Sequence, residues 1–305
     1  MMQPLTAAGR ASKVRSMLTP SGPSARTAPP TLALALARDA VPAWAAEAIV
    51  LDAREPAAFA AGHLAGAGRM SVAEFGARRA ELPPRHARVL VVHDEPARAR
   101  EAAEALAALE YREVGWLDGG LSELPGGHAS RDAGARLWRP SPFVERMLPR
   151  LSPGRALDLA AGAGRESVFL ALAGWQVDTW DHDPEALARA EALAARHEAT
   201  IAARVIELEQ DAMPGPGDGW NTIVVCRFLH RPLFAWIEAA LAPGGTLVYE
   251  TFRRGQEAYG RPKLDRYLLE PGELERAFPT LRVEAYEEHD PPGGPVVARL
   301  LARRP

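Results

Sequence analysis

Residues 155–164 read Arg-Ala-Leu-Asp-Leu-Ala-Ala-Gly-Ala-Gly, and a helical run from Val168 to Leu172 follows. The apolar first half of this stretch predicts a short strand, and the two glycines predict a tight turn between that strand and the helix. Backbone without side chains lets a ligand lie against such a turn, and the N–H groups of the helix N-terminus point towards it. The stretch therefore predicts an α/β fold with a ligand site at the end of this strand.

An acidic residue ends the next predicted strand. Residues 175–180 read Trp-Gln-Val-Asp-Thr-Trp, and Asp181, His182, Asp183 and Pro184 follow directly. Nucleotide-binding α/β folds use an acid at this strand end to accept hydrogen bonds from ribose hydroxyls. We therefore predict that Asp181 binds a ribose.

Strands and helices alternate through the rest of this half, and two strand segments close it. The pattern predicts helices at 184–197 and 234–241, strands at 204–208, 222–225 and 246–252, and a late hairpin of strands at 282–286 and 296–302. Such alternation is typical of a doubly wound, largely parallel sheet with helices on both faces.

This half, from about residue 142 to the C-terminus, resembles the class I S-adenosylmethionine-dependent methyltransferases, whose seven-stranded Rossmann-like sheet ends in such a hairpin. The family's acid and alternate glycines fall on Asp158, Gly162 and Gly164, and Ala160 stands in place of its first glycine. The resemblance implies S-adenosylmethionine as methyl donor, bound by these four residues and by Asp181.

The same resemblance implies that Asp211 and Ala212, after the third strand, contact the adenine; an Asp that caps its own loop is the alternative for Asp211. A dinucleotide-binding fold would share the ribose acid. However, its fingerprint requires a third glycine and a pyrophosphate cradle, and Glu166 would repel a diphosphate.

Several segments resemble the small-molecule methyltransferases related to tellurite-resistance proteins, namely residues 228–232, 250–252, 259–262 and 268–274. The Asn/Asp-Pro-Pro-aromatic motif of enzymes that methylate amino groups of bases or glutamine is absent after the fourth strand. The resemblance therefore implies a small-molecule acceptor, with a thiol or a metalloid species as candidates.

His230, on the loop after the fourth strand, is the candidate catalytic residue, as a base or as a group that orients the acceptor. The alternative is a histidine that only supports its loop. Tyr249, Glu250, Tyr259 and Arg261 are candidates to line the acceptor pocket.

The first half carries a different set of motifs: Asp52-Ala-Arg-Glu55, Gly62-His-Leu64 and Leu117-Asp-Gly-Gly120. It resembles a single-domain rhodanese, in which a nucleophilic Cys precedes an Arg by five residues and an Ala-Ala pair by nine. Here the cysteine position is occupied by His93, and the later positions by Arg98 and Ala102-Ala103.

The histidine removes the chemistry that the family performs, because sulfur transfer requires a thiolate that can carry a persulfide. The loop reads Asp94-Glu95-Pro96, so it offers two carboxylates and one position without an N–H to an anionic substrate. The single cysteine, Cys226, lies in the other half. We therefore predict an inactive rhodanese-like domain and treat Cys226 as a small core residue.

The chain has 305 residues, 47% of them hydrophobic, a formal charge of −3 and one cysteine. These values predict two globular domains, a cytoplasmic location and no disulfide, and they do not favour nucleic acid as a partner. No apolar stretch is long enough to span a bilayer, no pattern of ligands predicts a metal site, and the oligomeric state is left open.

We predict a disordered segment at 1–33, the rhodanese-like domain at 34–126, a linker at 127–141 and the methyltransferase domain at 142–305.

Three functions remain open from the sequence. The first is a methyltransferase with an inactive rhodanese-like domain kept for docking or regulation. The second is a methyltransferase that acts on a sulfur species bound by the rhodanese-like domain. The third is a sensor that binds S-adenosylmethionine without turning it over.

Overall fold

The computed structural model describes residues 33–151, 153–210, 213–215, 217–292 and 294–305. The predicted disordered segment at 1–33 therefore lies, except for Ala33, outside the described residues. The described chain begins with a five-stranded sheet whose strand order is β1-β5-β4-β2-β3 and whose strand pairs are all parallel. Its elements are β1 (Leu34–Leu36), α1 (Val41–Ala45), β2 (Ile49–Asp52), α2 (Pro56–Ala61), β3 (Gly68–Arg69), β4 (Arg88–Val92), α3 (Pro96–Ala108) and β5 (Glu113–Leu117).

Strand β4 is buried on both faces, as its unbroken apolar sequence requires. Val89 and Val91 belong to one hydrophobic cluster, and Leu90 and Val92 belong to the cluster on the opposite face. Helix α3 covers the first of these faces with Ala99, Ala102, Ala103 and Leu106, which recur at helical spacing. The predicted Ala-Ala pair is therefore part of the core.

A seven-stranded sheet follows, with strand order β11-β12-β10-β9-β6-β7-β8. Strand β12 is antiparallel to both of its neighbours, and the other pairs are parallel. This arrangement confirms the predicted fold class of a small parallel-sheet domain followed by a Rossmann-like sheet with a closing hairpin. The elements are α4 (Pro142–Met147), β6 (Arg155–Leu159), α5 (Arg165–Leu172), β7 (Gln176–Asp181), α6 (Pro184–Arg196), β8 (Ile201–Val205), β9 (Trp220–Cys226), α7 (Phe234–Ala240), β10 (Leu241–Phe252), α8 (Glu273–Arg276), β11 (Arg282–His289) and β12 (Val297–Arg303).

Single turns of 3-10 helix complete the connections between these elements. They occupy Val72–Glu74, Arg79–Glu81, Leu121–Glu123, Leu148–Arg150, Arg231–Leu233, Gln256–Ala258 and Asp265–Tyr267.

The predicted position of the third strand is wrong by three residues. Strand β8 is an edge strand with much of its surface exposed, so it lacks the apolar pattern of a buried strand. The apolar residues that suggested 204–208 include Ile206 and Leu208, which lie after the strand and pack into the core. The Ile206 amide bonds the carbonyl of Asp181 and turns the chain inwards.

Other predicted bounds also shift. Helix α7 ends one residue early, and β10 already begins at Leu241, with a register irregularity between Leu241 and Thr246 that accommodates the Pro-Gly-Gly turn. The hairpin strands are longer or displaced relative to the prediction, at 282–289 and 297–303.

Alternate strand residues divide between two cores, one on each face of the large sheet. Leu157, Ile223 and Leu247 pack towards α7 and α8, whereas Ala156 and Val224 pack towards α4, α5 and α6. The carboxyl ends of the central parallel strands consequently meet at one edge, where ligands of open α/β sheets bind.

The two domains are joined by a packed segment. Ser130 of this segment forms an isolated antiparallel β-bridge with His63 of the first domain. The consecutive residues Leu137 and Trp138 are buried in the core of the first domain and in the core of the second domain, respectively. Glu81 also forms an ion pair with Arg196 at the end of α6. No helix among the described residues is both long and apolar enough to cross a membrane.

We predict unequal effects of alanine at the two glycines of the first turn. Both have positive φ, so alanine costs roughly 1 kcal/mol at either position. A Cβ at Gly164 would also lie 2.5 Å from Cβ of Ala190 in α6, whereas none of the described atoms lies within 4 Å of a Cβ at Gly162. Gly164→Ala should therefore destabilise by about 1–3 kcal/mol more than Gly162→Ala in urea unfolding. Equal losses would contradict the close packing of α5 on α6.

Candidate functional site

The turn after β6 runs through three residues with left-handed backbone. Ala160, Gly162 and Gly164 have φ values of 60°, 55° and 72°. For glycine this conformation is free of strain, but for an L-residue such as Ala160 it costs roughly 1–2 kcal/mol. Ala160 therefore has the left-handed backbone expected of the family's first glycine, and the turn forms although alanine stands in the place of that glycine.

Asp181 and the turn form a single hydrogen-bonded unit at the carboxyl ends of β6 and β7. The Gly162 amide donates to Asp181 Oδ2 at 2.7 Å, and the Asp183 amide donates to Asp181 Oδ1 at 2.9 Å. The Asp181 side chain is 8% exposed; its Oδ2 keeps a further lone pair, and His182 Nδ1 lies 3.2 Å from its Oδ1. Because the described residues leave open space in front of Gly162, this unit faces a region that a ligand can enter.

Asp158 lies beneath the turn. It is 1% exposed, and its Oδ2 accepts a hydrogen bond of 2.6 Å from Ser167 Oγ on α5. Burial, reinforced by the charge of Glu166, raises the pKa of Asp158 well above its usual range, which favours the neutral form of this carboxyl. Its visible role is to hold α5 against β6.

Two further carboxylates near the turn, Glu166 and Glu250, share Ser141 as a hydrogen-bond partner, and of these only Glu166 was expected at the turn from the sequence. The Ser141 amide donates to Glu166 Oε1 at 2.9 Å, and the Ser141 hydroxyl donates to Glu250 Oε1 at 3.0 Å. Arg299 balances Glu250 through an ion pair of 2.5 Å. Glu250 was predicted to line the acceptor pocket, but it is buried and held from two sides.

Cys226 pairs in register with Glu250 at the end of β9. Burial raises the pKa of its thiol well above the usual value, and the charges of Glu166, Glu250 and Asp158 act in the same direction. The thiolate needed for sulfur chemistry is therefore disfavoured at this position.

The loop after β9 carries Arg227, His230 and Arg231. Arg227 has a φ of 59°, a strained conformation for a side-chain-bearing residue that is typical of functional sites. His230 is half-buried, and its carbonyl accepts from the Leu233 amide. Arg231 ties the loop to the start of α8 through an ion pair with Glu273, and to the segment before α8 through a bond to the Leu268 carbonyl.

The other residues that were predicted to line the acceptor pocket differ in burial. Tyr249 is a core residue that packs against Phe234 and Phe278, and its hydroxyl bonds the carbonyl of Phe228, so the prediction that it lines the acceptor pocket is wrong. Tyr259 is 49% exposed and lies beyond β10. The Arg261 carbonyl accepts from Gln256. Asp211 and Ala212 lie outside the described residues.

In the first domain, His93 closes its own loop. Its Nδ1 accepts from the Glu95 amide at 2.9 Å, which withdraws one backbone donor from any bound anion. The buried Arg54 guanidinium pairs with Asp52 at 2.7 Å and with Asp94 at 3.1 Å. Within the described residues no group of three or more His, Cys, Asp or Glu side chains is arranged to hold a metal.

Two family models match separate parts of the chain. Residues 37–124 match the rhodanese-like domain, and residues 143–242 match tellurite resistance protein TehB. Hemagglutinin 1 of Eikenella corrodens is 30% identical over 106 residues, which are 33% of this chain and 35% of that protein. The chain thus spans about a third of the length of this curated relative.

Solved structures resemble about half of the chain. TehB from Haemophilus influenzae is 20% identical with a TM-score of 0.46, over 53% of this chain and 61% of that one. A S-adenosylmethionine-dependent methyltransferase from Mesorhizobium loti is 22% identical with a TM-score of 0.45, over 53% of this chain and 96% of that one.

The rhodanese-like match covers β2 to β5 of the first sheet, and the TehB match covers β6 to β9 of the second sheet. The chain therefore contains a segment at residues 37–124 that is similar to the rhodanese-like domain and a segment at residues 143–242 that is similar to tellurite resistance protein TehB.

Proposed function

We propose that this chain methylates a small molecule and that its rhodanese-like domain does not transfer sulfur. The observation that carries the first part is the unit of Gly162 and Asp181, a buried acid bonded to a glycine turn that faces open space. A thiol or a metalloid species is the acceptor class that the resemblance to TehB favours.

The residues present fit S-adenosylmethionine. The Asp181 carboxylate can accept hydrogen bonds from ribose hydroxyls, with Oδ2 free of a second partner among the described residues, and the backbone at Gly162 leaves room for the nucleoside beside it. Asp158 supports this turn from below through Ser167. Asp211 and Ala212 complete the proposed set as adenine contacts.

The charges at this edge also suit a positively charged donor. When bound, S-adenosylmethionine supplies a methyl group on a positively charged sulfur. Glu166 and Asp181 keep a negative potential here, whereas Arg299 balances Glu250 and burial favours the neutral form of Asp158. A cation is stabilised in such a field more strongly than its neutral demethylated product.

Alignment of the acceptor is the main task left to the protein, because an in-line displacement requires little side-chain chemistry. We propose that a ring nitrogen of His230 takes the proton of a weakly acidic acceptor. The loop that carries it is held in place by Arg231 through Glu273. The alternative, in which His230 only supports the loop, would leave turnover unaffected by its removal.

The geometry of the first domain supports docking rather than sulfur hand-over. His93 follows the carboxyl end of β4, whereas the residues before the amino end of β4 lie next to the methyltransferase loops. Five residues of strand separate these ends, or about 16 Å. A sulfur species bound at the His93 loop would therefore be on the far side of the domain.

We predict that Asp181→Ala lowers the affinity for S-adenosylmethionine and S-adenosylhomocysteine at least tenfold. Each lost charge-assisted bond to ribose is worth about 1.5–3 kcal/mol, and the turn also loses its partner at Gly162. Calorimetric titration measures the change. Asp183→Asn is the matched control, since Asn caps α6 about as well as Asp and leaves Asp181 in place.

Unchanged affinity in Asp181→Ala would remove the donor-site assignment. A protein that binds the donor normally but forms no S-adenosylhomocysteine with a panel of thiols, amines, hydroxyls and metalloid oxyanions would instead support the sensor alternative.

We also predict no sulfur transfer from thiosulfate to cyanide by the wild-type protein, and no effect of Cys226→Ser on that result. His93→Cys should restore at most slight activity, because Asp94, Glu95 and Pro96 still impair anion binding. Thiocyanate formation is the measurement. Robust wild-type activity that disappears in Cys226→Ser would contradict an inactive rhodanese-like domain.

A further inference from the structure

A cavity of about 170 Å³ lies between the two domains. The rhodanese-like domain contributes Arg85, His86 and Arg112, from the loops that precede β4 and β5. The methyltransferase domain contributes Gln256 and Tyr259 from the segment after β10, together with the turn at Gly294 and Pro295. The cavity is therefore complete only when both domains are present.

The lining is cationic. Two arginines and a histidine face the cavity, and none of the described residues that line it is acidic. Arg85 forms an ion pair of 3.2 Å with Glu110, whose side chain is 83% exposed, so water screens this partner. Burial lowers the pKa of His86, and the charges of Arg112 and Arg227 lower it further. A neutral histidine can donate a hydrogen bond, and it adds no positive charge that would repel the neighbouring arginines.

The cavity belongs to the same edge of the large sheet as the donor site. Arg227 directly follows β9, and Gln256 and Tyr259 follow β10. Burial raises the pKa of Tyr111, which precedes β5, to about 12, and the charge of Arg165 at the start of α5 is close enough to oppose this shift. Two residues of the rhodanese-like loops, His86 and Tyr111, are thus close to Arg227 and Arg165 of the other domain, respectively.

The methyltransferase wall of the cavity is held rigidly. Gln256 is buried, donates to the Arg261 carbonyl at 3.2 Å and accepts from the Val296 amide at 2.8 Å. The Tyr259 amide bonds the Gln256 carbonyl, and Cβ of Tyr259 lies 3.1 Å from where a Cβ on Gly294 would be. Glycine at 294 therefore permits the close approach of Tyr259.

We propose that this interdomain cavity binds an oxyanion group of the methyl acceptor, through Arg85, His86 and Arg112. The proposal rests on the proposed methyltransferase function and specifies its acceptor as a small molecule with a carboxylate or another oxyanion. Guanidinium groups form strong, directional bonds with such groups. The rhodanese-like domain then anchors the acceptor, although its own His93 loop faces elsewhere.

This assignment places opposite fields on the two reactants. Glu166 and Asp181 provide negative charge beside the proposed donor, and the cavity provides positive charge beside the acceptor. A cationic donor and an anionic acceptor would each be attracted to its own side and repelled from the other.

The test is calorimetric titration of the full chain with sodium malonate and, separately, with sodium phosphate, at constant ionic strength and with S-adenosylhomocysteine present. The wild type should bind one or both anions saturably. The Arg85→Gln/Arg112→Gln variant should bind at least tenfold more weakly, and His86→Gln should also weaken binding. The control Arg100→Gln/Arg282→Gln removes the same charge from exposed sites and should bind as the wild type does.

Binding of malonate alone indicates a carboxylate acceptor, binding of phosphate alone indicates an inorganic oxyanion, and both outcomes support the cavity. A wild type that binds neither anion, or a cavity variant that binds as tightly as the wild type, overturns the proposal. Thermal melting checks folding, and the single His86→Gln variant keeps the test open if the double variant unfolds.

Affinity for S-adenosylhomocysteine separates the two proposals. It should be equal in the wild type, the cavity variant and the control. If the wild type binds S-adenosylhomocysteine but neither anion, only the acceptor inference fails; if it does not bind S-adenosylhomocysteine, the proposed function itself fails. In turnover, 3-mercaptopropionate should have a lower KM than 2-mercaptoethanol, and the cavity variant should remove that difference.

Discussion

The hydrogen bond from the Gly162 amide to Asp181 connects the two strands on which the site depends. Strands β6 and β7 are adjacent and parallel, so their carboxyl ends meet, and this bond, with the bond from the Ala161 amide to the Trp180 carbonyl, fixes the glycine turn relative to the acid. The contact between Gly162 and Asp181 requires the left-handed backbone of Ala160, Gly162 and Gly164. The close approach of Gly164 to Ala190 then fixes where α5 begins.

Polar groups at this edge are arranged by the alternation of the strands. Asp158, Cys226 and Glu250 share the face that packs towards α4, α5 and α6, and they follow apolar residues of the same core. Burial disfavours the charged forms of Asp158 and of the Cys226 thiol, while Arg299 sustains the charge of Glu250. The same sheet edge therefore carries the carboxylates of Glu166 and Asp181 on the proposed donor side and, across the domain junction, Arg85 and Arg112 of the rhodanese-like loops.

Patterns within one segment were predicted well because the physics that determines them is local. The glycine turn, the acid after β7 and the closing hairpin follow from spacing and polarity over a few residues. The edge strand β8 was misplaced because exposure removes the apolar period that identifies a strand. Tyr249 was misassigned because its position in β10 is inward, and a sequence does not indicate which face of a buried strand a tyrosine occupies.

Contacts between distant segments were not predictable in the same way. Ser141 reaches Glu250 across 109 residues, and Arg85 meets Tyr259 only when both domains have folded. The Ser141 interaction could have been anticipated only as a helix cap, from its position before Pro142. The interdomain cavity has no counterpart in any local motif.

The central claim is that the donor binds where the glycine turn meets Asp181. A crystal structure of the full chain with S-adenosylhomocysteine tests it most directly. We expect both ribose hydroxyls within hydrogen-bond distance of the Asp181 carboxylate, with the nucleoside lying against Gly162. A nucleoside bound elsewhere, or a ribose without contact to Asp181, would contradict it.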